Sequence, residues 1–142
     1  MRLDNVASLY EADINRTTAI QNSTKARLEY YYSTGGQDNE FIQRNYKEQA
    51  ARQKEIIKSQ EKAVKDYRKE LEIAAKIYGK DSKEYKEAET RLIEMETAVI
   101  ENKTALNELS KAAKEAAKDL KQQQLDKIDE KWSALAQRSS AS

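Results

Sequence analysis

The groups that could do chemistry in this chain are carboxylates, lysines, serines and tyrosines, because its 142 residues include no histidine and no cysteine. That removes the usual general base, the thiol nucleophile and the common zinc ligands together. Glu87, Glu89, Glu94 and Glu96 lie close in sequence, but acid–base work needs a pocket that drives two carboxyl pKa values apart, and a thin helical hairpin offers none. No serine stands in a Gly-x-Ser-x-Gly elbow or beside a base. The reading is of a protein that is not an enzyme and takes no cofactor or metal. Lys111, Lys114, Lys118 and Lys121 form a basic stripe that could touch phosphate, but no aromatic residue interleaves and Glu115 and Asp119 intervene. This pattern describes a solvated face, and no nucleic-acid recognition is expected. Asn22-Ser23-Thr24 matches a glycosylation acceptor, which a helix rich in Asn and Thr produces by chance.

What remains is contact chemistry. Tyr30, Tyr31 and Tyr32 precede Gly35-Gly36, and on a helix three consecutive positions cannot share one face. At least one ring therefore meets another chain or covers the turn. Tyr31 and the lone tryptophan, Trp132, are the candidate partner contacts. Gln60 and Asn102 fall inside apolar runs, where a polar side chain acts as a register device.

These residues must be positioned by long helices. Between Tyr46 and Lys127 apolar positions recur every three and four residues, with no proline and one glycine, Gly79. The descending series is Tyr46, Ala50, Gln53, Ile57, Gln60, Val64, Tyr67, Leu71, Ala74 and Tyr78. The returning series is Tyr85, Ala88, Leu92, Met95, Val99, Asn102, Leu106, Leu109, Ala113, Ala116 and Leu120. A spacing that averages ~3.5 residues makes one seam per helix, which must be hidden against another helix. Folded about the Gly79 turn, Leu71 faces Leu92, Val64 faces Val99 and Ile57 faces Leu106.

The fold class is accordingly all-α: a long antiparallel helical hairpin, or coiled coil, with an additional N-terminal helix. Residues 1–37 form the N-terminal helix and its Gly-Gly turn, and residues 38–142 form the hairpin, with its turn at 79–82. The first helix is expected over Arg2 to about Tyr32, with Leu3, Val6, Leu9, Tyr10, Ile14, Ile20, Leu28 and Tyr31 as a loose stripe. Thr17, Thr18, Ser23 and Thr24 are mediocre helix formers, so packing must hold it. Gly35 or Gly36 ends it and Asp38 or Asn39 caps the second helix, expected over about Asn39 to Tyr78. Asp81, with Glu84, or Ser82 caps the third, expected from Lys83 to about Leu135. Beyond Leu120 the period slips by one residue to Leu125, Ile128, Trp132 and Leu135, a stutter that marks a change of partner. Glu48–Arg52, Glu61–Lys65, Glu72–Lys76 and Glu87–Arg91 stand in the helix-supporting i,i+4 order, each worth about 0.2–0.5 kcal/mol.

Composition agrees with a narrow seam. Hydrophobic residues make up 38% and charged residues 36% of the chain, too polar for a thick globular core. The 26 basic and 25 acidic residues nearly cancel, so no overall field points to nucleic acid or an anionic membrane. No apolar run approaches the ~20 residues of a membrane span, and Arg2-Leu3-Asp4-Asn5 is not the start of a secretory signal. A soluble segment without stable membrane insertion is expected. The seam can be closed within one chain, between two chains, or by the first helix, so self-association is open.

Gln60-Glu61-Lys62-Ala63-Val64-Lys65-Asp66-Tyr67, followed by Ile77-Tyr78-Gly79-Lys80-Asp81-Ser82-Lys83-Glu84-Tyr85-Lys86-Glu87-Ala88, resembles the helical hairpin modules of tail tape measure proteins from long-tailed bacteriophages. Asn102-Lys103-Thr104-Ala105-Leu106-Asn107-Glu108-Leu109 reads like the return arm, so the likeness covers residues 56–110. The resemblance implies a structural protein of the virion tail that acts as a ruler during assembly. Its partners would be tail tube, initiator and chaperone proteins. It also implies a segment of a longer chain, with Arg138-Ser139-Ser140-Ala141-Ser142 as a cut end. The competing reading is a cytoplasmic helical adaptor or scaffold that binds protein partners through its coiled-coil surface.

Overall fold

The structure is a computed structural model; it describes the backbone of residues 3–141 and the side chains of residues 9–140. Three helices, α1 (Leu3–Ser33), α2 (Asn39–Ile77) and α3 (Lys83–Ala141), account for nearly all of it, and no strand occurs among the described residues. The expected start of the first helix at Arg2 and the side chains of Leu3 and Val6 lie outside the described residues.

The termini of α2 explain its limits. The Asp38 carboxylate accepts from the Glu40 N–H at 3.0 Å, satisfying one of the orphan donors of the first turn. At the other end Gly79 adopts φ +85°, the left-handed conformation that ends a helix at low cost only for glycine. Between the two candidates for the next cap, Ser82 does the work: its hydroxyl accepts from the Tyr85 N–H at 3.1 Å and donates to the Gly79 carbonyl at 2.6 Å.

The turn between α1 and α2 divides its labour between two glycines. Gly35 carries the positive φ, +84°. Gly36 is needed for space, since a Cβ there would collide with the Tyr31 ring. Tyr31 completes the turn by accepting from the Asp38 N–H at 2.7 Å and packing its ring 4.3 Å from that of Phe41.

Cross-helix pairs give the register. Tyr10 meets Asp66 and Thr24 meets Asn45, so α1 runs antiparallel to α2. Glu61 pairs with Lys103 and Arg68 with Glu96, so α3 also runs antiparallel to α2. The architecture is an all-α helical hairpin with an N-terminal helix laid on it. Ala63, Val64, Tyr67, Leu92 and Val99 form one buried cluster, with Tyr10, Leu71 and Met95 packed against it. Leu28, Ile42 and Ala116 form a second, one residue from each helix, flanked by Tyr31, Phe41 and Tyr46.

Two expectations change. α3 continues to Ala141 rather than ending near Leu135, because nothing after Leu135 is a glycine or proline and Arg138 suits a helix's last turn. Two ion pairs also take other partners: Arg52 pairs with Glu55 on its own helix at 3.2 Å, and Glu61 reaches across to Lys103 at 3.4 Å. For Glu61 the facing helix offers a competing neighbour, while Arg52 finds an acid three residues along its own helix. These half-exposed pairs are each worth about 0–1 kcal/mol, so the apolar seam holds the hairpin.

Candidate interaction surfaces

α2 is buried along two stripes, and this arranges everything else. Gln53, Ile57, Gln60, Val64, Tyr67 and Ala74 lie on the stripe expected from the sequence. Ile42, Asn45, Gln49, Ile56, Ala63 and Glu70 are equally buried and lie on a second stripe, spaced by three, four and then seven residues. With α1 on one flank and α3 on the other, a single central helix must hide both stripes.

Where the stripes meet, the packing is polar. The Gln21 amide donates to the Gln53 side-chain oxygen at 2.7 Å and to the Gln49 carbonyl at 3.0 Å. Gln53 donates to Asn102 at 2.8 Å, and Asn102 donates to Gln60 at 2.9 Å. On the α1 side Gln49 donates to Asn45 at 2.7 Å, and Asn45 donates to the Thr24 carbonyl at 2.8 Å. This amide ladder therefore runs through all three helices, and no buried side-chain N or O among the described residues lacks a partner. Every side-chain group in it is an amide, so it neither titrates nor transfers protons. What it supplies is geometry, because each amide is satisfied in only one register.

The seam residues named from the sequence fall into three groups. Ile57, Val64, Tyr67, Leu92 and Val99 are buried, and Leu71 and Met95 pack half-buried against that cluster. Leu106 is half-buried. Leu109 lines a groove of about 440 Å³ between α1 and α3, facing residues that include Leu28, Tyr46 and Gln53.

Tyr32 edges the same groove. Burial of its hydroxyl end, together with a hydrogen bond to Tyr46, pushes its pKa up to about 12. Because the raised value favours the neutral phenol in the folded chain, stability is full below pH ~10, where an unfolded tyrosine is still protonated. It should then fall as pH rises towards 12. In urea denaturations at pH 9, 10 and 11, Tyr32→Phe should flatten this alkaline loss relative to the parent. Tyr10 is shifted the same way, first by its 2.8 Å hydrogen bond to Asp66 and then by desolvation.

The two candidate partner contacts have different settings. Tyr31 is spent on the turn, half-buried under Phe41 and over Gly36. Trp132 is 67% exposed and stands on a part of α3 that leaves the body of the protein. From Lys121 to Ser140 every residue is exposed, Leu125, Ile128 and Leu135 among them. These twenty residues form a free-standing helical arm roughly 30 Å long.

Sequence reasoning missed the Gln21, Thr24, Asn45 and Gln49 part of the ladder. A signal was present: Ile42, Asn45, Gln49, Ile56, Ala63 and Glu70 keep helical spacing once amides and small residues are admitted to a buried stripe. No group of acidic residues among those described could hold a metal ion, and no described helix is long and apolar enough to cross a membrane. Comparison with protein families, with curated proteins and with solved structures finds no match to this chain.

Proposed function

We propose that the chain is a structural coiled-coil segment that works as a spacer and catalyses nothing. The single observation that carries this reading is the continuous packing of α2 against α3 from the Gly79 turn to the Ile42–Ala116 level. Apolar side chains are spent on keeping long helices in register and enclose no reaction chamber. With the likeness of residues 56–110 to tape measure hairpins, the reading extends to a ruler element of a phage tail. It would be located in the virion and contacted by tail tube, initiator and chaperone proteins.

The test is a matched deletion. Removing seven residues from α2 and the seven that face them on α3 keeps both stripes in phase and shortens the hairpin by about 10 Å. Small-angle scattering should show a maximum dimension shorter by that amount with helicity retained. In a phage carrying the deletion, tail length should shrink in step. Unchanged tail length would sink the ruler reading.

The adaptor reading draws its support from Trp132, whose exposure suits a docking anchor. On that reading Trp132→Ala abolishes partner capture, while deletions that preserve the seam leave capture intact.

A further inference from the structure

The hairpin has two flanks, and α1 covers one of them. On that side Ala105, Glu108, Leu109 and Ala112 of α3 line the groove already described. The other flank is bare and holds a hollow of about 320 Å³ between Lys65 and Arg68 of α2 and Ile100 and Lys103 of α3. Steps of three and four from these residues follow the same flank away from the Gly79 turn. They pass Glu61, Lys58, Lys54, Ala51 and Lys47 on α2, and Asn107, Lys111, Lys114, Lys118 and Lys121 on α3. Because Glu61 stands beside Lys103, Lys54 comes level with Lys111 and Lys47 with Lys118. Two rows of lysine thus lie side by side. All seven are exposed, and none takes part in an ion pair or a hydrogen bond among the described residues.

The acids that break up this stripe in the sequence are turned elsewhere. Glu115 and Asp119 continue the row of Glu108, on the side of α1. On α2, Glu48 shares a hollow with Arg27 of α1, and Glu55 is paired with Arg52. Lys54 with Lys58, and Lys111, Lys114, Lys118 and Lys121 in series, are like charges three and four residues apart. Such spacing weakens a helix, and an anion laid over the rows relieves that cost. The patch reads charge alone. Only alanine, asparagine and serine stand between the lysines, so there is no apolar anchor of the kind that holds a protein partner and no ring on which an unpaired base could stack. The rows run ~17 Å along the helices and ~20 Å across the pair. Towards the turn the flank becomes mixed, with Glu61 and Glu96 paired to Lys103 and Arg68, and beyond Lys121 it meets Asp129. An anionic membrane laid along the rod therefore meets acids at both ends of the patch, whereas a polyanion that crosses the rod meets lysines.

We propose that this flank, Lys47–Lys58 of α2 with Lys111–Lys121 of α3, binds the phosphate backbone of double-stranded nucleic acid lying across the hairpin, without regard to base sequence. Over ~20 Å a duplex carries about twelve phosphates, of which about four face one side. A lysine on its flexible stem meets whichever phosphate comes within reach and displaces the counterion held there. With about four such contacts, the binding constant falls by about three to four powers of ten for each tenfold rise in salt. The chain as a whole carries a net charge of only +1, so the attraction belongs to the patch and not to an overall field. The inference goes beyond the spacer reading and stands without it.

The test titrates a fluorescein-labelled DNA duplex of about 20 base pairs with the full chain and follows its anisotropy. At about 20 mM salt the dissociation constant should be on the order of 10–100 µM, and it should weaken at least a hundredfold by about 100 mM. A duplex of unrelated sequence should bind within about twofold. Lys54→Gln, Lys111→Gln and Lys118→Gln together should weaken binding at least tenfold at the lower salt. Their circular dichroism should match the parent's, because all three side chains are exposed. Lys62→Gln, Lys69→Gln and Lys127→Gln remove the same charge elsewhere on the surface and should cost less than about threefold. Four results overturn the proposal. The first is no anisotropy change with the chain at about 1 mM. The second is binding that survives the patch substitutions. The third is an equal loss in both triple variants, which would mean that net charge and not the patch is at work. The fourth is tighter binding, at equal anionic charge, to a single strand, to vesicles of anionic phospholipid or to polyglutamate. Each of these leaves the matched-deletion test of the spacer untouched, so the two readings fail separately.

Discussion

Truncating Tyr67 to alanine will lower the stability of the chain by about 3–5 kcal/mol, the largest effect expected of any single side-chain truncation here. Tyr67 is buried at the point where α2 faces Leu92, Val99 and Met95 of α3 and is approached by Tyr10 of α1. Its removal takes away the largest apolar surface in that cluster. A gap left between two rigid helices closes poorly, so the cavity cost adds to the lost burial. Domains are stable by only about 5–15 kcal/mol, and the change is therefore a large fraction of the whole. Urea unfolding followed at 222 nm should show a lower midpoint in Tyr67→Ala. Tyr67→Phe should stay closer to the parent, because it keeps the ring. A Tyr67→Ala midpoint within about 0.5 kcal/mol of the parent would mean that α2 and α3 are not held at this cluster.

The helices and their antiparallel pairing were legible because three independent signals coincide. The 3.5-residue period of the Ile57–Val64–Leu71 and Leu92–Val99 series, the glycine at position 79 and the cap candidates at Asp38 and Ser82 all demand the same elements. Local chemistry settled in the structure what spacing left open. Both glycines of the first turn were candidates for the left-handed position, and the fold uses Gly35 for conformation and Gly36 for the room that Tyr31 takes. A sequence shows where a turn can form, but not which ring will lie over it.

Two features were legible only in part. The slip after Leu120 announced a change of partner, and the structure finds the arm beyond it exposed. The second stripe of α2 was hidden by its composition, since Asn45, Gln49 and Glu70 read as solvent-facing on any hydropathy scale. The burial of Asn45 and Gln49 follows from where α1 lies, which the loose apolar pattern of α1 does not specify. Amides enter a buried stripe only when partners on a neighbouring helix satisfy them, and those partners are distant in sequence: Gln21 for Gln53, Thr24 for Asn45.

That dependence makes Asn102 the second decisive position. Its side chain accepts from Gln53 and donates to Gln60, so Asn102→Ala orphans an N–H and a carbonyl within a helix interface. Leaving a buried polar group unpaired costs about 1–3 kcal/mol, and the substitution should destabilise the chain by roughly 2–4 kcal/mol. Replacing all three partners, as Gln53→Leu, Gln60→Leu and Asn102→Leu together, should act in the opposite sense. With fewer amides to satisfy and a longer apolar seam, the hairpin should unfold at an equal or higher urea concentration. It loses the device that forbids sliding, because leucine packs against leucine at any heptad offset while the ladder closes at one. Spin labels at positions 61 and 103, whose side chains pair at 3.4 Å in the parent, separate these outcomes. The parent should give one short distance, and the triple variant a distribution with additional populations displaced by about 10 Å, one heptad of helix rise. If the triple variant keeps the single short distance, register is set by the apolar seam and the Gly79 turn, and the amide ladder only satisfies itself.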